Sequence, residues 1–152
     1  MTLQNSLNEI PVVSVSDTSG PPATGNDVPI LNEIRHALKR LLDSGEVTVI
    51  DLKAIPMAPG EEERIERILG LGEVVVNINA LGPSTVIETT FPGVWLVTHQ
   101  NATNDVVGKY IEVTHCPAIV GSQAEDMRGG FSNICKVLEE LTQTSGGSGD
   151  EI

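Results

Sequence analysis

His99, His115 and Cys116 are the residues of this chain with the chemistry to hold a metal or activate a nucleophile. Imidazole and thiolate together suit zinc or nickel. One reading is therefore a small metal-binding or metal-delivery protein, or an enzyme, built on these three side chains. Their spacing matches neither C-x-x-C nor H-E-x-x-H, and the sequence places no fourth ligand. His115 and Cys116 are neighbours on an expected strand, so their side chains point to opposite faces and make a poor nucleophile–base pair. Glu88 and Glu112 lie on strands and have the types to flank a cleft as paired carboxylates; outward-facing strand glutamates are the plainer account. Glu61, Glu62, Glu63 and Glu66 alternate with Arg64 and Arg67 at helical spacing and read as a solvated helix face. There is no G-x-S-x-G and no phosphate loop, and Gly70-Leu-Gly72 precedes a strand instead of opening a helix. No catalytic set emerges, and no cofactor is expected.

The elements that position these residues follow from periodicity. Glu88-Thr-Thr-Phe-Pro-Gly-Val-Trp-Leu-Val-Thr-His99 holds the only Trp, Trp95, and one of the two Phe residues, Phe91. Phe-Pro-Gly reads as a sharp turn, because Pro92 cannot donate to a sheet ladder and Gly93 tolerates positive φ. The β-branched and aromatic residues on either side suit a pleated surface. Strands are expected at 73–80, 85–91, 94–98 and 106–115, joined as an antiparallel meander. Val47-Thr-Val-Ile-Asp-Leu52 has the composition of a further short strand. Helices are expected near 28–44, 59–69 and 122–143. The first carries Ile30, Leu31, Ile34, Leu38, Leu41 and Leu42 on one face, with Asp27 as N-cap and Gly45 as its stop. Leu81-Gly-Pro-Ser84 reads as a turn, and Gly129-Gly130 as an interruption or end in the last helical region. The fold class is thus α+β: a four-stranded antiparallel meander packed against helices.

Residues 1–27 read as a flexible segment around the apolar patch Ile10-Pro-Val-Val, residues 28–143 as a single domain, and 144–152 as a flexible tail. Nine Lys and Arg against 21 Asp and Glu give a net charge of −12. That balance speaks against a nucleic-acid backbone or an anionic membrane as partner. The N-terminus lacks the basic start and apolar run of a signal peptide, so a cytoplasmic protein with Cys116 and Cys135 reduced is expected. Trp95 has two readings: facing inward with Val97, a core anchor between sheet and helix, or, facing outward together with Ile87 or Tyr110, part of a binding surface.

The stretch Glu88-Thr-Thr-Phe-Pro-Gly-Val-Trp-Leu-Val-Thr-His99, followed by Tyr110-Ile-Glu-Val-Thr-His-Cys-Pro-Ala-Ile119, resembles the nickel–iron hydrogenase expression/formation proteins of the HupH/HyaF type. Upstream, Ile30-Leu-Asn-Glu-Ile-Arg-His-Ala-Leu38, Ile50-Asp-Leu52 and Leu69-Gly-Leu-Gly-Glu-Val74 follow in the family's order. The resemblance covers roughly 28–127. It implies an accessory or assembly factor, chaperone-like and not an enzyme, that transiently binds a hydrogenase subunit precursor or another maturation protein. A second copy of the chain is the other partner it leaves in view. No catalytic residue carries over. Candidate contact positions are Phe91 and Trp95 at the corner, and Tyr110, Ile111 and Glu112 on the following strand.

Overall fold

Ile30, Ile34, Ala37 and Leu41 recur at helical spacing and form the buried stripe of α1 (Asp27–Ser44). Gly45 stops this helix in the left-handed region at φ 73°, its N–H bonded to the Leu41 carbonyl at 2.9 Å. The expected stripe is rotated slightly. Ala37 takes a core position, Leu31 and Leu38 sit half-buried at its edge, and Leu42 is 76% exposed. Asp27 is the first helical residue and not the cap. Its buried carboxylate pairs with Arg64 at 2.9 Å, tying α1 to α2 (Glu61–Leu69).

The computed structural model describes residues 24–145. The Ile10-Pro-Val-Val patch and the tail beyond residue 145 lie outside the described residues, so the expected flexible ends are untested there.

The sheet has five strands rather than four: β1 (Thr48–Asp51), β2 (Val75–Ala80), β3 (Gly82–Glu88), β4 (Val94–Gln100) and β5 (Val106–Val113). Their order is β1-β5-β4-β3-β2, with every pair antiparallel. The meander of β2 to β5 is as expected, and β1 adds an edge by pairing Ile50 with Ile111. The short strand read at 47–52 is thus present; what the sequence did not place was its membership of the sheet, because its partner is remote in the chain. The turn read at Leu81–Ser84 is tighter than expected. Ala80 already pairs with Gly82, and Gly82 holds φ 136° with its Cα against the Gln100 carbonyl.

The two faces of the sheet differ. Ile50, Val94, Ile111 and Val113 point toward α1 and α2 and join their stripes in the main core. Lys109, on the same face, pairs with Glu62 at 2.6 Å and Glu66 at 2.5 Å on α2. The glutamate run is therefore only partly a solvated face. Glu61 departs furthest from that expectation. It is buried, and its carboxylate accepts from the Ala58 and Gly25 amides at 3.0 and 2.7 Å and from the Thr24 hydroxyl. These bonds hold residues 24–25, inside the segment read as flexible, against the start of α2.

α3 (Ala124–Ser145) continues through Gly129-Gly130, which were expected to break it. None of its residues is buried, and no extensive contact joins it to the sheet or to α1 and α2. It does not cover the sheet as the helix at 122–143 was expected to.

Candidate functional site

Pairing register builds the second face of the sheet in rows. Glu88, Trp95, Glu112 and Val49 stand side by side on β3, β4, β5 and β1. The next row is Val76, Val86, Val97, Tyr110 and Asp51, and beyond it come Ile78, Ser84, His99 and Gly108. Val86, Trp95 and Val97 form a small apolar cluster, with Val76, Ile78 and Tyr110 packed on its margins. This second cluster consists of strand residues alone.

Trp95 is 6% exposed, and its indole Nε1 donates to the Thr114 carbonyl at 3.0 Å. Trp95 thus combines the two expected settings in part: it is buried, yet on the face away from the helices. That hydrogen bond fixes the ring, since a buried indole N–H needs a partner. The turn before it is the one expected. Phe91, Pro92, Gly93 and Val94 close with Val94 N–H on the Phe91 carbonyl at 3.0 Å, and Gly93 sits at φ 85°. Pro then Gly with positive φ at the centre is a type II turn.

Polar groups ring the cluster. Burial raises the Glu112 carboxyl above its ordinary pKa, while nearby His99 pulls the other way. Ser84 Oγ lies 2.8 Å from His99 Nδ1, and the His99 and Tyr110 rings stand 5.7 Å apart. Glu88 and Glu112 flank Trp95 two strand spacings apart, about 10 Å. A rigid aromatic between carboxylates can hold a cationic or mixed apolar surface. It does not form a nucleophile–base pair.

The sequence-named positions separate into several places. Trp95, Tyr110 and Glu112 share the second face. Ile111 points the other way and is fully buried in the main core. Phe91 lies across the turn in a groove of about 340 Å³ beside Leu31, Leu38 and Ile68, on the α1–α2 side. The metal reading does not survive the geometry. His99 is five residues along β4 from Val94, whose partner Val113 precedes His115 and Cys116. The two histidines are therefore at opposite ends of the strand pair, at least about 17 Å apart. Among the described residues no group of three His, Cys, Asp or Glu is placed to hold a metal ion. Ser84 and Asp51 were missed from sequence. Only cross-strand register puts them beside His99 and Tyr110, and one sequence does not carry register.

Comparison with known proteins identifies the family. Residues 25–141 match the family model described as HupH hydrogenase expression protein, C-terminal conserved region. The chain is 27% identical over 126 residues to the hydrogenase expression/formation protein HupH of Rhizobium leguminosarum bv. viciae, covering 83% of this chain and 45% of that protein. It is 33% identical over 121 residues to HoxQ of Azotobacter vinelandii, a hydrogenase expression/formation protein, covering 74% of this chain and 42% of that one. The chain thus spans less than half the length of these relatives. A solved structure, the hydrogenase expression protein HupH from Thiobacillus denitrificans, superposes with a TM-score of 0.75 at 39% identity, covering 78% of this chain and 99% of that one. With the family model matched over nearly all of its described residues, this chain belongs to the HupH family of hydrogenase expression proteins, of which it carries the C-terminal conserved region.

Proposed function

We propose that the protein is a non-catalytic accessory factor in hydrogenase maturation that transiently binds a hydrogenase subunit precursor or another maturation protein through the second face of its sheet. The observation that carries this reading is the register row Glu88–Trp95–Glu112. The buried Trp95 gives this row a rigid floor, and the half-buried carboxylates of Glu88 and Glu112 beside it are the groups left to meet a protein surface with little to order. The net charge of −12 favours a basic client and discourages wrong contacts. Its place of action in this reading is the cytoplasm, on the client before the client is complete. A transient factor needs modest affinity, which a small polar-rimmed aromatic patch provides.

The test is co-purification of the tagged chain from cells making hydrogenase, read by mass spectrometry. The wild type is expected to enrich a hydrogenase subunit or a hydrogenase maturation protein. The double variant Glu88→Lys, Glu112→Lys is expected to lose it while keeping its fold. Recovery of neither class by the wild type, or equal recovery by both, contradicts the reading.

A further inference from the structure

α3 and the α1–α2 groove are two apolar faces of one chain that do not meet within it. On α3, Met127, Phe131, Ile134, Leu138 and Leu141 recur at spacings of four and three and stand exposed, Phe131 at 72%. On α1, Val28, Leu31, Leu38 and Leu42 follow the same period outside the core stripe, with Arg35 filling the middle position. Ile68 and Phe91 extend that surface across the groove, and both are exposed. Two seams of about 3.5-residue period are the surfaces that helices use to pack side by side.

α3 also needs a cover. Gly129 and Gly130 lie inside it, and each is about 1 kcal/mol less favourable than Ala in a helix interior. A helix with no buried residue draws no tertiary support from its own domain, and isolated helices are marginal in water.

We propose that α3 is an exchanged element: in a two-fold dimer the stripe of each α3 lies in the α1–α2 groove of the second copy. Surface area favours this arrangement over a single α3–α3 contact. A 22-residue helix is about 33 Å long and 10 Å across. Laid reciprocally in two grooves, with both partners counted, it covers roughly 1,300 Å², within the range of stable interfaces. One α3–α3 contact covers about half of that, below the range. The connection from Val113 to Ala124 spans eleven residue steps, up to about 36 Å, enough to reach a neighbouring copy. Apart from Arg35 the two seams are uncharged, as a contact between two chains of −12 each requires. The same exchange made twice closes the assembly, so no face is left to propagate.

This inference stands apart from the client-binding reading, which concerns the opposite face of the sheet. Light scattering after size exclusion on the full chain tests it. Twice the chain mass is expected for the wild type. Leu138→Glu on α3 and, separately, Leu42→Glu on α1 are each expected to weaken the dimer at least a hundredfold. Trp95 fluorescence, which reports the folded sheet, should stay unchanged in both, since Leu42 is already exposed in the single chain. A wild type that is monomeric at about 100 μM overturns the proposal, whether α3 is then unprotected or docked on its own groove. A dimer that Leu138→Glu dissociates and Leu42→Glu leaves intact also overturns it, assigning the contact to α3 pairing.

Discussion

One strand shows how differently the two faces of the sheet are used. On β5, Ile111 turns inward and is sealed under α1 and α2, while its neighbour Glu112 turns outward beside Trp95. The inward face is apolar where α1 and α2 cover it, and in the polar row Asn77, Thr85, Thr98 and Lys109 the lysine is answered by two glutamates of α2. The outward face has an apolar centre of only Val86, Trp95 and Val97, within a margin of carboxylates, His99 and Tyr110. A face closed by the chain's own helices contributes stability. The outward face, whose aromatic is fixed and whose charged neighbours remain half-buried, is the one the proposed function assigns to a client.

Substitutions on the two faces should separate these roles. The largest loss is expected for Trp95→Ala, about 3–5 kcal/mol, because it empties a large buried volume and leaves the Thr114 carbonyl unpaired. Ile111→Ala should fall in a similar range, about 2–5 kcal/mol, yet leave client binding intact once the protein is folded. Urea titration measures both. Comparable client loss from the two would break the distinction between faces.

Lys109→Met is next, at about 1–3 kcal/mol, since it leaves Glu62 and Glu66 facing the sheet without their cation. Thermal unfolding against pH tests Glu61. The Thr24 hydroxyl, with the Gly25 and Ala58 amides, outweighs burial and holds its pKa below the ordinary range. A depressed carboxylate stabilises the fold above its unfolded pKa of about 4.3 and loses that contribution as pH falls through the lower folded value. Glu61→Gln should therefore lower Tm at pH 7 and converge with the wild type in acid. Glu112→Gln is the smallest effect and has the opposite sign. Its folded pKa is raised by burial, so stability falls as pH climbs from the unfolded pKa through the folded one. At pH 7 the variant should melt slightly higher than the wild type, and the gain should vanish as pH falls below the unfolded pKa of about 4.3.

Local chemistry made much of this architecture legible from sequence. The Gly45 stop of α1, the Phe91–Gly93 corner and the meander of β2 to β5 follow from residue types acting within a few positions of one another. What escaped depends on distant partners. The short strand read at 47–52 is β1, but its place in the sheet depends on pairing with the remote β5, and the burial of Glu61 on amides contributed by another segment. α3 has the same amphipathic pattern as α1, but pattern alone does not say where an apolar stripe goes. The metal reading failed for a related reason: His99 and His115 carry the right chemistry, and antiparallel pairing puts them at opposite ends of β4 and β5.

Trp95 is the only tryptophan and stands at the centre of the proposed client face, so its emission is the most direct probe. The measurement is titration of the purified chain, with Trp95 replaced biosynthetically by 5-hydroxytryptophan so that it is excited to the red of ordinary tryptophan, with the hydrogenase protein it co-purifies with. The account predicts a saturable change in the Trp95 signal that Glu88→Lys, Glu112→Lys abolishes and Leu42→Glu does not. Binding confirmed by calorimetry with the Trp95 signal unmoved, and with the charge-reversed variant binding equally well, would contradict it.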